Sequence, residues 1–243
     1  MTRRVLITRP QAEAEALAAE LTSRGHEAVI APMLVIRSAG IQLRDAARYQ
    51  AAAVTSGNGV DGLASATARR ALPVFAVGEA TAERALALGF DPVTSAQGTG
   101  GALVDLIRTT LHPANGPILW ASGDEVRVDL TTELGNRGFA VERVIVYRTE
   151  PVDRLSDAGL HALMDRSLGG VLFFSPRTAE RFVRLVLEAG LDGQVTTMAA
   201  HCLSPPIADT VGALPWATIR TAARPTRDDL LATLDDTISS DPD

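Results

Sequence analysis

Short apolar runs alternate with longer amphipathic stretches along nearly the whole chain, and glycine, proline or small hydroxyl residues punctuate the joins. Residues 5–8 are apolar on successive positions, as a strand covered on both faces must be. Pro10 suits the first turn of a helix. Leu17, Leu21 and the alanines between Ala12 and Ala19 then give a face of helical period that Gly25 closes. A strand over 28–32 follows, with Pro32 opening a connection to an amphipathic stretch near 43–49. Next come a strand over 51–55, the turn Ser56-Gly57-Asn58-Gly59 and a helix from Val60 onward. A strand over 74–77, a helix over 80–88 closed by Gly89, a strand over 92–95 and a helix over 103–111 complete the first half. The second half predicts strands at 118–121, 141–147 and 171–174, with helices at 126–137, 157–166 and 178–189. A last strand at 217–220 and a helix at 230–238 lead into a frayed tail over 239–243. This is the rhythm of βαβ units in doubly wound parallel sheets.

The same unit is written twice. Val5-Leu6-Ile7-Thr8-Arg9-Pro10 is answered by Ile118-Leu119-Trp120-Ala121-Ser122-Gly123, and the following Leu17, Leu21 and Gly25 by Leu130, Leu134 and Gly138. Ala53-Val54-Thr55-Ser56-Gly57-Asn58 is answered by Leu172-Phe173-Phe174-Ser175-Pro176-Arg177. A weaker echo links Ala76-Val77-Gly78-Glu79-Ala80-Thr81-Ala82 to Cys202-Leu203-Ser204-Pro205-Pro206-Ile207-Ala208. Two similar α/β halves commonly meet across a cleft, and the repeat alone divides the chain once, near residue 115.

Composition narrows the chemistry. At 243 residues and 25.6 kDa the chain can bury two modest cores. No stretch approaches the roughly 18 apolar residues of a membrane helix, and Met1-Thr2-Arg3-Arg4 runs straight into a strand rather than a secretory leader. The single cysteine, Cys202, fits a reducing compartment, so a cytoplasmic location is expected. A net charge of -6 argues against a general nucleic-acid surface. All 23 basic side chains are arginine. Without lysine there can be no Schiff base and no P-loop ammonium. Dinucleotide, P-loop, zincin, nucleophile-elbow and CxxC motifs are absent. His26, His112, His161 and His201 have no metal-ligand spacing with one another or with Cys202. No metal or other cofactor is expected.

What remains is a set of strand ends dressed with small hydroxyl, glycine and arginine residues. They are Thr8 and Arg9, Thr55 to Asn58, Gly78 with Thr81, Ser122 with Gly123, and Ser175 to Arg177. Ligands of open α/β sheets bind beyond the carboxyl ends of the strands, where helix N-termini present N–H groups and the positive end of a dipole. Arg9, Arg127 and Arg177 would add bidentate donors for carboxylates. The same hydroxyls also suit helix capping. Tyr147, one of two tyrosines, ends the 141–147 strand and carries a phenol that could orient or protonate a leaving group. It could equally be an anchoring aromatic.

Together these pieces resemble the uroporphyrinogen-III synthase family. The matching pattern comprises Ile7-Thr8-Arg9-Pro10 with the Leu17/Leu21/Gly25 helix and Pro32, then Thr55-Ser56-x-Asn58-Gly59-Val60. It continues through Ala76-Val77-Gly78-x-x-Thr81-Ala82 with Gly89, and through Gly100-Gly101 before Leu103. Arg127, Leu134, Gly138, Val141 and Tyr147 follow, then Phe173-Phe174-Ser175-Pro176 and Ala223-x-Pro225-Thr226 with Leu230. The resemblance spans roughly residues 3 to 235. It implies an α/β fold of two open parallel-sheet, flavodoxin-like domains joined by a two-stranded connection, with 1–35 and 150–243 in one domain and 36–149 in the other. It implies a cofactor-free enzyme that converts hydroxymethylbilane, a linear tetrapyrrole with eight carboxylates, to uroporphyrinogen III. Water is lost from ring A, and ring D is inverted through a spiro intermediate. Tyr147 would assist departure of the hydroxyl. Arg9, Thr55, Ser56, Asn58, Gly78, Thr81, Ser122, Arg127, Ser175 and Arg177 would bind substrate. A monomer with no nucleic-acid or membrane partner is implied. The segment Ser204-Pro205-Pro206-Ile207-Ala208 departs from the family's glycine-x-x-threonine-alanine pattern. It lacks two N–H groups and a hydroxyl, which would shift the grip to 36–149 and the Ser175–Arg177 turn. The alternative is a synthase-like protein that binds or senses a tetrapyrrole or another polycarboxylate without turning it over.

Overall fold

A computed structural model describes residues 4–126 and 128–235 of the chain. The chain begins with β1 (Arg4–Ile7), α1 (Gln11–Ser23) and β2 (Glu27–Ile30), then runs along β3 (Leu34–Ser38). It builds β4 (Ala51–Val54), α2 (Gly57–Ala66), β5 (Val74–Ala76), α3 (Glu79–Ala87), β6 (Val93–Ser95) and α4 (Gly100–Thr110). After β7 (Ile118–Gly123) and α5 (Leu130–Gly135) it returns along β8 (Val141–Pro151). Then come α6 (Asp157–Met164), β9 (Gly170–Phe173), α7 (Pro176–Glu188), β10 (Ala199–Cys202), α8 (Pro205–Val211), β11 (Thr218–Thr221) and α9 (Arg227–Asp235).

The chain divides into two compact units, Met1–Val35 with Glu150–Asp243 and Ile36–Thr149. The first unit holds a five-stranded sheet of order β11-β10-β9-β1-β2, and the second a six-stranded sheet of order β3-β8-β7-β4-β5-β6. The two boundaries fall within β3 and β8, which lie side by side. The repeat in the sequence is a repeat of pairing down to the residue. Val5 pairs with Gly170 in one sheet, and Ile118 pairs with Ala51 in the other. Val5 pairs with Ala28 as Ile118 pairs with Val141. On the far side, Phe173 and Cys202 correspond to Val54 and Ala76, and Ala200 and Ile219 to Val74 and Val93. Strands covered on both faces hold one register, because a slip would exchange every buried side chain. Each sheet thus takes one strand-helix-strand from one copy and its other three repeat-related strands from the other copy.

Burial, rather than propensity, makes these strands. All four residues of β4, Ala-Ala-Ala-Val, are buried, although alanine is a poor strand former. Ala52 and Val54 face one core layer with Leu63 and Val146, while Ala51 and Ala53 face the other with Leu103 and Trp120. In the first unit, Phe182 lies 5.3 Å edge-on to Phe173 and is stacked on Trp216 at 6.0 Å. Gly25 and Gly138, counterparts in the repeat, close α1 and α5 at φ +82 and +86, where other residues are strained.

Several elements differ from the sequence expectation. The helix expected over 126–137 is only α5, because Asp129 caps it by accepting the N–H groups of Thr131 and Thr132. The stretch near 43–49 contributes a single 3-10 turn at Ala46–Arg48. β3 falls where only a connection after Pro32 was expected, and β8 runs past Tyr147 to Pro151. The tail at 239–243 lies outside the described residues. Among the described residues, no helix is long and apolar enough to cross a membrane.

Candidate active site

The second unit carries a cavity of about 400 Å³ lined by Thr55, Ser56, Val77, Gly98, Gly100, Gly123, Glu125, Val126, Val128 and Tyr147. It lies beyond the carboxyl ends of β4, β5 and β6 and at that of β7, with Tyr147 contributed from within β8. β4 and β7 are neighbours whose connections leave in opposite directions, through α2 to β5 and through α5 to β8. That is the switch point at which doubly wound sheets bind ligands.

Three helices begin at this rim. Ser56 caps α2 with extended backbone, φ -161 and ψ 159, and its Oγ accepts the Gly59 N–H at 3.1 Å. Thr99 caps α4, its Oγ1 accepting the Ala102 N–H at 3.1 Å. Gly78 caps α3 without a side chain. A Cβ on Gly78 would come within 3.3 Å of Gly98 Cα, and one on Gly100 within 2.8 Å of Val128 Cγ2. These glycines let the β5–α3 and β6–α4 loops close together and let Val128 pack on the start of α4. First-turn N–H groups outnumber what a cap can satisfy, so such a rim favours anionic groups.

Tyr147 is half-buried at the end of this cavity, its hydroxyl 3.3 Å from Ser56 Oγ. It also borders a second cavity of about 200 Å³, shared with Asn58, Asp61, Gly62, Ser65 and Val146. Thr55 and Ser56 therefore line the main cavity with Tyr147, and Asn58 lines the adjoining one. Ser122 is only 2% exposed. Its hydroxyl donates to Gly123 O and accepts from Arg143 Nε at 2.9 Å, so it braces the strand end and is turned away from the cavity. Arg143 also donates to the carbonyls of Gly123 and Asp124, each at 2.8 Å, and lies 5.0 Å over the Trp120 ring. Thr81 is buried on the inner side of α3 beside Ala82 and Ala85. Arg127 lies outside the described residues.

The first unit repeats the strand-end construction with different chemistry. Ser175 caps α7 as Ser56 caps α2, accepting the Thr178 N–H at 3.2 Å. Thr8 is buried and its hydroxyl donates to Leu172 O at 2.8 Å. Arg9 stacks 4.6 Å over Phe174 and pairs with Glu13, Nε to Oε2 at 2.7 Å. Arg177, half-buried, follows in the first turn of α7. At α8, Ser204 has the extended conformation of Gly78, φ -155 against -165, and Pro205 and Pro206 fill the first helical turn exposed to solvent. Ile207, the counterpart of Thr81, is 1% exposed within the core. Both positions of this pair are buried, so the exchange of Thr81 for Ile207 between the two copies is a change in packing.

Val77, Gly98, Gly100, Glu125, Val126 and Val128 line the cavity without having been expected from the sequence. The run Gly98-Thr99-Gly100-Gly101 was the available signal, since closely spaced glycines before a helix mark backbone approach.

The architecture is that of a two-unit α/β protein built by interleaved duplication of doubly wound sheets, with a glycine- and hydroxyl-lined cavity at three helix N-termini. The chain belongs to the uroporphyrinogen-III synthase family: the profile of uroporphyrinogen-III synthase HemD matches residues 15–232. Among solved structures it is similar to the uroporphyrinogen-III synthetase of Helicobacter pylori, with TM-score 0.61 and 16% identity over 97% of this chain and 100% of that one. It is also similar to a mutant uroporphyrinogen III synthase of the extreme thermophile Thermus thermophilus, with TM-score 0.49 and 18% identity over 99% and 100%. No curated protein sequence matches at a significant level.

Proposed function

We propose that this protein cyclises hydroxymethylbilane to uroporphyrinogen III, with loss of water, inversion of ring D and no cofactor. The observation that carries the reading is Tyr147 set at the glycine-lined rim where α2, α3 and α4 begin, in a chain of this family. The substrate presents eight carboxylates, and the helix N-termini offer N–H groups and positive dipole ends to some of them. The cavity's volume is within the range of small-molecule sites, and it would take part of the tetrapyrrole. Thr55 and Ser56 add hydroxyl groups, Asn58 faces the adjoining cavity, and Arg9, Ser175 and Arg177 are the candidates of the first unit. Arg9 would exchange its Glu13 partner for a substrate carboxylate.

The task is mostly conformational. Unaided closure of the linear tetrapyrrole gives the uninverted isomer, so the protein must favour a pose in which ring D attacks through its substituted carbon. Tyr147 is the residue proposed to hydrogen-bond the departing hydroxyl. The net charge of -6 speaks against a nucleic-acid surface and the single cysteine suits the reducing cytoplasm; a monomer without membrane partners is the expectation that comes with the family, and sedimentation of the purified protein tests the monomer. Freshly prepared hydroxymethylbilane tests the function. The expected product is predominantly the type III isomer, and Tyr147→Phe should turn over several-fold more slowly at nearly unchanged stability. A type I product formed at the uncatalysed rate would overturn the reading; tight product binding without turnover would favour a tetrapyrrole-binding role instead.

A further inference from the structure

Three features converge on the Tyr147 phenol. The β7–β8 ladder runs in step as far as Ser122 and Ile145, then shifts so that Gly123 pairs with Tyr147. An irregularity of this kind re-aims a side chain. Here Val146 is turned into the core against Gly62, and Tyr147 is laid across Gly123. A Cβ on Gly123 would lie 2.6 Å from Tyr147 Cζ and 2.8 Å from its hydroxyl oxygen, so only glycine leaves the ring this place. On the other side stands Ser56, 3.3 Å from the phenol oxygen.

The other copy of the repeat shows which of these the fold itself requires. Pro10 stands at the counterpart of Gly123, and counting on from the matched Ala28 and Val141, Leu34 stands at the counterpart of Tyr147. Ser175 retains the capping bond of Ser56. A strand end of this construction therefore forms without the glycine and without the tyrosine, and the two occur together where the cavity is.

We propose that Gly123 and Ser56 are positioning residues for Tyr147, Gly123 setting where the phenol lies and Ser56 setting which way its proton points. Ser56 Oγ already accepts the Gly59 N–H, which leaves it one lone pair and its own O–H; in the arrangement proposed, that O–H is donated to the Tyr147 oxygen. The phenol proton is then left for the substrate. A separation of 3.3 Å is long for two hydroxyls, and such contacts commonly tighten when substrate binds. This inference rests on the synthase reading. In the step it serves, the bond from the hydroxymethyl carbon to oxygen breaks with its electron pair on oxygen, and the Tyr147 proton completes the water. The Ser56 hydrogen bond and the N-terminus of α2 hold the phenolate. The proton that ring D loses on closure returns to the phenolate, so none is consumed overall.

Tyrosine labelled with carbon-13 at Cζ reports the contact independently of turnover. Its two resonances, from Tyr49 and Tyr147, are assigned with Tyr147→Phe. Ser56→Ala should move the Tyr147 resonance and leave that of Tyr49, and Ser56→Thr should restore it. An unmoved Tyr147 resonance overturns the proposal. Where chemistry limits turnover, Ser56→Ala should lower kcat about fivefold with KM changed less than about twofold. In the Tyr147→Phe background the same substitution should have almost no further effect on kcat; a full additional loss there overturns the relay. Gly123→Ala should shift the Tyr147 resonance as well, and if that variant does not fold, the Ser56 variants decide. Absence of type III product from the native protein, with the resonance still responding to Ser56→Ala, would refute the synthase reading and leave the hydroxyl contact standing.

Discussion

Gly62→Ala sets two known effects of opposite sign against each other. Gly62 lies within α2, where replacing glycine by alanine ordinarily favours the helix by up to about 1 kcal/mol. An added Cβ, however, would lie 2.4 Å from Val146 Cγ2, 2.6 Å from Val146 Cβ and 3.1 Å from Val146 O. Val146 is 2% exposed and β-branched, so its side chain cannot swing away, and its carbonyl accepts the Ala39 N–H at 3.0 Å. Relief therefore requires α2 and β8 to separate, an overpacking cost of about 1–3 kcal/mol. The net expectation is destabilisation by about 1–2 kcal/mol, read as a fall in the urea midpoint at unchanged slope. Gly101→Ala is the control. Nothing lies within 4 Å of the Cβ it would gain in α4, so it should stabilise by about 0.4–1 kcal/mol. In a Val146→Ala background the Gly62→Ala penalty should largely vanish. A rise in midpoint for Gly62→Ala comparable to that of Gly101→Ala would refute the close approach of α2 to β8.

Two further predictions concern groups outside the reaction. Burial pushes the Cys202 thiol up to about 12 from 9.0, so the native protein should not react with a thiol reagent at mildly alkaline pH and should expose one thiol on unfolding. The native state then keeps a proton that the unfolded chain releases, so this group's contribution is full below the unfolded value and declines as pH rises from 9.0 towards 12. Cys202→Ala should flatten that decline, and an unaltered alkaline limb would count against it. Arg143→Gln removes the fork that holds the carbonyls of Gly123 and Asp124, and should destabilise by about 1–3 kcal/mol while opening the 123–126 loop to proteolysis. Native-like protease resistance would show that the loop holds itself.

Much of the framework was legible because burial on both faces leaves an unmistakable mark. The successive apolar residues of β1, β4 and β7 declared central strands, and the helix-closing Gly25 and Gly138 declared the repeat. What the sequence concealed depends on pairing. β8 continues through Arg148, Thr149 and Glu150, which carry no apolar period. The bulge that turns Tyr147 over Gly123 has no residue signature of its own, so the cavity wall could not be drawn in advance. Thr81 and Ser122 carry the hydroxyls expected of a binding rim, yet helix facing turns Thr81 inward and Arg143 takes up Ser122. Both helices and central strands here are covered on more sides than a residue type reveals.

The matched registers of the two sheets have a consequence for how the chain chooses its partners. β1 is paired with β9 through the same residues by which β7 is paired with β4. Each copy of the repeat therefore owns two edges whose backbone registers match each other as they match the edges of its sibling. One copy could in principle close on itself, β1 lying against β4, and the native arrangement is an exchange of strand-helix-strand arms between siblings, a domain swap within one chain. The backbone registers are equivalent in the two arrangements, so register does not select between them, while the side chains do differ: β4 offers Ala-Ala-Ala-Val where β9 offers Gly-Val-Leu-Phe. The connecting segments add a further constraint: β3 and β8 are extended and paired with each other instead of doubling back as turns. The connecting strands thus join side-chain packing in specifying which arms are exchanged.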